Sequence, residues 1–382
     1  MGSLTGGDPS LLRRINSAAV LRALRDGEPS CSLTDLARET GLSRPTVEGV
    51  VEGLAEAGLV AETGVSGSGG RAGRPARRFR FRAEAGLLLG IELGPRRVAA
   101  VLADLAGHRL GGGVREVSTR ATADERLAGA RAVAAELLAG REDAAPLRAV
   151  GVGSPGIVGL DGTVTLCTAL PGWTGLDLGG RLRAAFGCPV QVENDANAAV
   201  LAERWVGAAA GADDVVMVLA GLSPGAGSLI GGRLHRGHGG AAGEIGALHL
   251  LGRQATPERL LSTSGEPLDP LDEMAVARVI AEAREGDRRA GAAVGRFVAR
   301  LVHDVAALVL ALDPELVVIG GWAVGLDEVV EPVRRELERY CLRTPRVVAS
   351  ALGDTAVATG ALRLALDQVE RELYAVGGVS SR

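Results

Sequence analysis

The segment from Ser32 to Val60 constrains the fold more than any other part of this 382-residue chain, because it spells two short helices, a tight turn and a strand. Ser32 is a suitable N-cap for the first helix, with Asp35 in the capping-box position, and Gly41 suits the left-handed residue that ends it. Ser43 is a suitable N-cap for the second helix. The pattern predicts a helix-turn-helix, and a preceding helix is expected from about residue 8 to residue 26. The second helix has Pro45 in its first turn and one apolar face, formed by Val47, Val50, Val51 and Leu54.

Polar side chains occupy the N-terminal end of the second helix, beside its apolar face. In a recognition helix, residues at this end contact base edges in the major groove. The strand from about Leu59 to Glu62, a Gly/Ser-rich tip and an arginine-rich strand at 77–82 then predict a wing. Because no acidic residue lies between Glu62 and Glu84, we expect positive charge to accumulate there. The candidate DNA-binding residues are Ser43, Arg44, Thr46 and Glu48 of the helix, with Arg71 and Arg74 of the GRAGRP run as candidates for a minor-groove contact.

The same pattern is also compatible with a protein that does not bind DNA. A three-helix cap with a solvated basic hairpin has similar periodicity, and arginine is abundant throughout because the chain contains no lysine. Residues 1–83 hold 12 arginines and 9 acidic residues, a charge of +3, so the total of −4 leaves −7 for the remainder. The coincidence of helical pattern, wing and local charge favours binding to double-stranded DNA.

The cysteine spacing and the length of the apolar stretches bear on where in the cell the protein acts. The four cysteines contain no Cys-x-x-Cys pair, which argues against a disulfide framework and against a structural zinc site. No cationic start precedes an apolar run, and each apolar stretch is too short to span a membrane. We therefore expect a cytoplasmic protein without a metal or cofactor. The cysteines are Cys31, Cys167, Cys188 and Cys341.

The pattern of the rest of the chain predicts an α/β body with an internal duplication. Residues 87–107 form an apolar strand, a Gly-containing turn and a second apolar strand, and residues 215–237 repeat that plan. We predict an α/β protein in which a winged helix-turn-helix domain (1–85) precedes a two-lobed body (86–382), whose interlobe cleft suits a small ligand. The expected lobes are about 86–200 with the C-terminal helix, and about 201–362.

Several motifs of the body resemble one known family. They are VGVGSPGIV at 150–158, PGW at 171–173, VENDANAAVLAE at 192–203, GRLHRGHGGAAGEIG at 232–246 and DPELVVIGG at 313–321. Together they resemble the ROK family of sugar kinases and sugar-responsive repressors, and the winged helix places the chain with the repressors. The resemblance implies an actin-like, hexokinase-like double fold, a sugar site in the cleft, and a homodimer or higher homo-oligomer.

The candidate sugar-binding residues begin at the junction of a strand and a helix. Asn194 and Asp195 present an amide and a carboxylate at the carboxyl edge of a sheet, and such groups pair well with adjacent hydroxyls. The alternative is that both residues merely cap the helix that starts at Ala196. The resemblance implies that Asp195 would be the proton acceptor in a kinase and that Glu244 is a further sugar ligand. Glu258 is another if TPERLLS aligns with the CLExxxS pattern of the family.

Some positions depart from the family pattern. Ala247 replaces the histidine of GEIGH, and the cysteine-rich zinc motif is missing, so no zinc is expected. His235, His238 and His249 are interpreted as structural or surface residues. These changes leave the identity of the sugar open.

The expected nucleotide site departs as well. Its first turn reads ELGPR, with Glu92 in place of the family aspartate, and its second reads GLSPGAG. Pro95 and Pro224 each remove an N–H donor from a turn that would bind phosphate. We therefore favour a sugar-responsive repressor of carbohydrate-metabolism genes. The alternatives are an ATP-dependent sugar kinase with an added DNA-binding domain, and a constitutive DNA-binding or scaffold protein with a vestigial cleft.

Overall fold

The computed structural model describes residues 9–65, 77–140, 145–248, 256–269, 272–321 and 327–374. Its N-terminal part consists of three helices and a three-stranded antiparallel sheet in the order β1-β3-β2. The predicted first helix, helix-turn-helix and wing strands are all present. The elements are α1 (Pro9–Asp26), β1 (Cys31–Ser32), α2 (Leu33–Thr40), α3 (Arg44–Glu56), β2 (Val60–Val65) and β3 (Arg77–Phe81).

Local hydrogen bonds define the helix-turn-helix. The Asp35 amide donates to Ser32 Oγ at 3.2 Å, and the Ser32 amide donates to Asp35 Oδ2 at 3.1 Å, which completes the predicted capping box. Gly41 ends α2 with φ +70°, and Ser43 Oγ accepts from the Thr46 amide at 3.3 Å. Strand β2 runs to Val65 instead of ending near Glu62, because it pairs with β3 as far as Arg77.

Lobe one is built on a five-stranded sheet in the order β6-β5-β4-β7-β11. Strands β4, β5 and β6 form an antiparallel meander, and β7 and β11 continue the sheet in parallel. A small antiparallel sheet, β8-β9-β10, precedes α5, which begins at Leu178 directly after β10. The bounds are β4 (Leu87–Leu93), β5 (Arg97–Asp104), β6 (Arg109–Glu116), α4 (Ala123–Leu138), β7 (Leu147–Ser154), β8 (Ile157–Val158), β9 (Thr163–Leu166), β10 (Leu176–Asp177), α5 (Leu178–Phe186) and β11 (Val190–Asn194).

Lobe two repeats the plan of lobe one. Its sheet has the order β14-β13-β12-β15-β16, in which an antiparallel meander is again followed by two parallel strands. The matching strand orders confirm the predicted duplication. The bounds are α6 (Asp195–Val206), β12 (Val215–Leu219), β13 (Gly225–Ile230), β14 (Arg233–Leu234), α7 (Pro257–Leu260), α8 (Glu273–Arg284), α9 (Arg288–Leu312), β15 (Leu316–Gly320), α10 (Asp327–Tyr340), β16 (Arg346–Ala349) and α11 (Ala356–Leu373).

The C-terminal helix α11 packs closely on the lobe-one sheet and on α6. A Cβ added to Gly90 of β4 would lie 2.2 Å from the Ala358 carbonyl oxygen, and one added to Gly360 would lie 1.7 Å from that of Ala198. Helix α6 is continuous through residue 200, so the expected lobe boundary falls inside this helix. Helices α6 and α11 therefore form the connection between the two lobes.

The winged helix and lobe one share a hydrophobic cluster. Leu21 and Leu24 of α1 belong to the same buried cluster as Leu362 and Leu366 of α11. Within the described ranges, no helix combines the length and hydrophobicity that crossing a membrane requires.

Candidate DNA-reading and ligand-binding sites

The N-terminal end of α3 is an open polar surface. Ser43, Arg44 and Glu48 are exposed and Thr46 is partly buried. On the opposite face, Val47 and its apolar neighbours are buried against α1 and the sheet. Because the apolar face is buried, α3 has only its polar face to offer to a partner.

The described arm of the wing is less positive than the sequence suggested. Arg77 pairs with Glu62 at 2.8 Å, and Arg80 pairs with Glu84 at 2.5 Å. The hydrogen bond from Arg80 holds the pKa of Glu84 down at about 2. Arg78 binds Ser30 Oγ at 2.9 Å. The positive charge expected on this arm is therefore partly compensated, because several of these guanidinium groups have partners inside the domain. Arg71 and Arg74 lie outside the described residues.

Asn194 and Asp195 lie at the carboxyl end of β11, where α6 begins. Asn194 is the N-cap of α6: its Oδ1 accepts from the amides of Ala196 and Asn197 at 2.9 and 3.1 Å, and its Nδ2 donates to the Gly156 carbonyl oxygen at 3.1 Å. The capping role is therefore real for Asn194, and its side chain also hydrogen-bonds to the Asp195 carboxylate. Asp195 Oδ1 accepts from the Ala196 amide at 2.8 Å. Burial raises the pKa of Asp195 above its ordinary value.

The structure brings Glu244 near Asp195. Glu244 is exposed in the loop that follows β14, yet the pKa of its carboxyl is raised, first by the desolvation of that carboxyl and then by the negative charge of Asp195. Glu258 lies partly buried on α7, and it is not among the groups whose charges act on Asp195 or Glu244. Asp195 and Glu244 thus lie close enough for the charge of one to act on the other, and Glu258 is not shown to join them.

Two of the candidate histidines, His235 and His238, lie in the loop that follows β14. His235 and His238 are exposed, in agreement with their interpretation as surface residues. His249 lies outside the described residues. Within the ranges that the structure describes, no group of three or more histidine, cysteine or acidic side chains is arranged to hold a metal ion.

The turn between β4 and β5 is occupied by the chain's own side chains. Arg97 Nη2 donates to Glu92 Oε1 at 3.1 Å and to the Asp354 carbonyl oxygen at 2.7 Å, and its Nη1 lies 3.3 Å from Asp354 Oδ2. Burial raises the pKa of Glu92 to about 7 despite the opposing effect of Arg97, with Asp195 and Asp354 adding to the rise. Sequence reasoning identified Glu92 but missed Arg97 and Asp354.

Arg126 also binds the turn between β4 and β5. It is fully buried, and its Nη1 donates to the Gly94 carbonyl oxygen at 2.7 Å. Its Nη2 donates to the carbonyl oxygens of Ser118 and Thr119 at 3.0 and 3.2 Å. No side-chain pattern marks this arginine, because all three of these partners are backbone carbonyl oxygens.

Comparisons with known proteins cover both parts of the chain. A family model described as the ROK family matches residues 88–368, and a model described as the IclR helix-turn-helix domain matches residues 16–64. A xylose repressor from Caldicellulosiruptor bescii is 26% identical over 95% of this chain and 98% of its own length.

Two solved structures also resemble this chain. A ROK family transcriptional regulator, a homologue of the E. coli MLC protein, has a TM-score of 0.70 and 22% identity, with coverage of 96% of this chain and 98% of its own. A ROK family glucokinase from Streptomyces griseus, solved with glucose and AMPPNP, has a TM-score of 0.60 and 26% identity over 74% of this chain and 100% of its own. Since the family model covers most of the chain, this protein belongs to the ROK family.

Proposed function

We propose that this protein is a repressor of carbohydrate-metabolism genes and that a sugar bound in its cleft changes its affinity for operator DNA. One observation carries the proposal: a single chain joins a capped helix-turn-helix, with an open polar face, to a cleft where Asp195 and Glu244 lie close enough to interact. The alignment with a xylose repressor over 98% of that protein's length supports it. Such a protein acts in the cytoplasm, where the operators are.

The DNA contacts are assigned to residues 1–85, and the sugar contacts to residues 86–382. Arg44 is placed to meet a phosphate or a guanine edge, and Ser43, Thr46 and Glu48 lie beside it. Arg71 and Arg74 are proposed to enter the minor groove. A homodimer formed through the two-lobed bodies would place two copies of α3 on successive major grooves of a palindromic operator.

Sugar hydroxyls are proposed to bind the acidic pair. Charged acceptors make stronger hydrogen bonds to hydroxyls than neutral ones, so Asp195 and Glu244 supply most of the affinity. Asn194 is proposed as a further contact to the sugar, beside the Asp195 carboxylate to which its side chain hydrogen-bonds. Glu258 is proposed as a ligand from α7.

We also propose that the cleft does not transfer phosphate. Arg97 is bound to Glu92 and Asp354, so Glu92 is not free to hold Mg²⁺, and Pro95 lacks the N–H that a phosphate cradle would use. The second candidate is a ROK sugar kinase. The raised pKa of Asp195 favours it, since a stronger base is a better proton acceptor in catalysis.

Thermal-shift titration with D-xylose, D-glucose and a panel of sugars, amino sugars and sugar phosphates tests sugar binding, since a ligand of the folded state raises apparent stability. We expect a shift for at least one sugar, lost in Asp195→Asn and kept in the exposed control Asp124→Asn.

ADP release measured with the same sugars separates the repressor from the kinase. Steady turnover that requires Asp195 would establish the kinase, and no shift with any sugar would contradict the sensor.

A further inference from the structure

The loop 235–246, here named the strap, crosses from lobe two to lobe one beside the cleft. It is held to lobe two at Gly243, whose carbonyl oxygen accepts from the Ala226 amide at 2.9 Å. It reaches lobe one at Gly240, where an added Cβ would lie 2.6 Å from the Val158 carbonyl oxygen. The Ala242 amide donates to the Arg236 carbonyl oxygen at 3.2 Å, so the strap folds back on itself before it reaches Glu244.

Arg236 attaches the strap to the base of the sugar site. Its Nε donates to Glu193 Oε2 at 2.6 Å, and the Glu193 side chain is only 6% exposed. The other oxygen of Glu193 accepts from the amide of Asn194 at 3.0 Å and from Nδ2 of Asn197 at 2.9 Å. The strap is therefore linked to the proposed sugar site at two points. It contributes Glu244 itself, and through Arg236 it binds Glu193, the residue before Asn194.

The Arg236 side chain also lines a groove of about 780 Å³ against the DNA-binding part. The groove's other walls include Arg22 of α1, the acidic residues Asp367 and Glu370 of α11, and Tyr374, which follows α11. The Arg22 guanidinium lies 4.6 Å from the centre of the Tyr374 ring. Arg236 thus pairs with Glu193 and also lines a groove that includes Arg22 of α1.

Helix α1 is joined firmly to the recognition helix and to α11. Leu21 and Leu24 of α1 share one buried cluster with Val50 and Leu54 of α3. Arg25 of α1 donates to Glu370 Oε1 at 2.7 Å. A force applied to α1 in the groove is therefore transmitted to α3.

We propose that Arg236 is the positioning residue through which the sugar-binding cleft controls the winged helix. Its ion pair with Glu193 holds the strap in the arrangement described above. A sugar that binds Glu244 draws the strap away and breaks that pair. The released Arg236 guanidinium then competes for Asp367 and Glu370 in the same groove, which weakens the bond from Arg25 of α1 to Glu370, and α1 carries α3 to a new orientation. This inference rests on the proposed function, because it requires a sugar in the cleft.

The first experiment needs no sugar. Coupling between two sites is reciprocal, so DNA binding must alter the strap. We would measure hydrogen exchange of residues 235–246 in the full-length protein, with and without a palindromic duplex selected from a random pool by the wild-type protein. In the wild-type protein, we expect DNA binding to change the exchange rates of these residues at least threefold. In Arg236→Gln, we expect DNA binding to leave these rates unchanged, while the Kd for the duplex stays within threefold of the wild-type value. Arg233→Gln, at an exposed arginine of β14 just before the strap, is the matched control.

The second experiment measures the ratio of duplex Kd values with and without saturating D-xylose or D-glucose. We expect a ratio of at least fivefold in wild type, less than twofold in Arg236→Gln, and partial recovery in Arg236→Lys, which keeps the charge. A purely structural role would lower sugar affinity and duplex affinity together instead. An unchanged ratio in Arg236→Gln, or a strap that does not respond to DNA in wild type, overturns the inference. Failure of both sugars to bind would refute the proposed function with these sugars, while the first experiment still decides the role of Arg236.

Discussion

Replacing Glu92 by glutamine should change how stability depends on pH. Burial raises the pKa of Glu92 from 4.5 to about 7 in the folded protein. Each unit of pKa difference corresponds to about 1.4 kcal/mol, so the unfavourable effect of the buried charge reaches about 3 kcal/mol above pH 7. Because the folded state holds this proton more tightly than the unfolded state, the wild-type protein loses that stability as pH rises from about 4.5 to 7. Glutamine does not titrate, so Glu92→Gln avoids the loss.

The measurement is urea unfolding followed by tryptophan fluorescence, to which the buried Trp173 of lobe one contributes. The unfolding free energy of Glu92→Gln minus that of wild type should increase by about 3 kcal/mol between pH 4.5 and pH 8. Glu116→Gln, an exposed glutamate on β6 of the same sheet, is the control and should give a flat difference. A flat difference for Glu92→Gln would show that Glu92 is not buried against Arg97 as described.

Three further predictions concern the proposed sites and the C-terminal helix. Asp195→Asn should weaken sugar binding at least tenfold in calorimetry, because a charge-assisted hydrogen bond contributes about 1.5–3 kcal/mol, and unchanged sugar affinity would exclude a sugar contact. Ser43→Ala should destabilise the winged helix by about 1 kcal/mol in urea unfolding and weaken duplex binding, because α3 loses its N-cap; equal stability would contradict the cap. Gly90→Ala should cost about 1–3 kcal/mol, since the new Cβ overlaps the Ala358 carbonyl oxygen of α11, and a neutral result would mean that this contact is looser than described.

The elements that the sequence predicted well are those with local causes. The cap of α2 joins Ser32 to Asp35, and the cap of α3 joins Ser43 to Thr46, so both partners lie within one helical turn. The duplication was also predictable, because the apolar hairpin pattern of 87–107 recurs at 215–237 and both sheets share one strand order.

The features that the sequence could not predict depend on distant partners. Arg97 and Asp354 are 257 positions apart, and Arg25 and Glu370 are 345 apart, so neither pairing has a local signal. The pairing of Arg80 with Glu84 is different. These residues are only four positions apart, but side chains at that spacing do not meet in an extended strand, so the pairing depends on the helical turn at Ala83–Ala85.

The most direct test of the account is the affinity of the full-length protein for its selected duplex, measured by fluorescence anisotropy with and without a saturating sugar identified by thermal shift. Allosteric coupling commonly changes affinity by 5- to 150-fold, roughly, and we expect a change of at least fivefold. The same duplex affinity with every sugar that binds would contradict the claim that the cleft controls DNA binding.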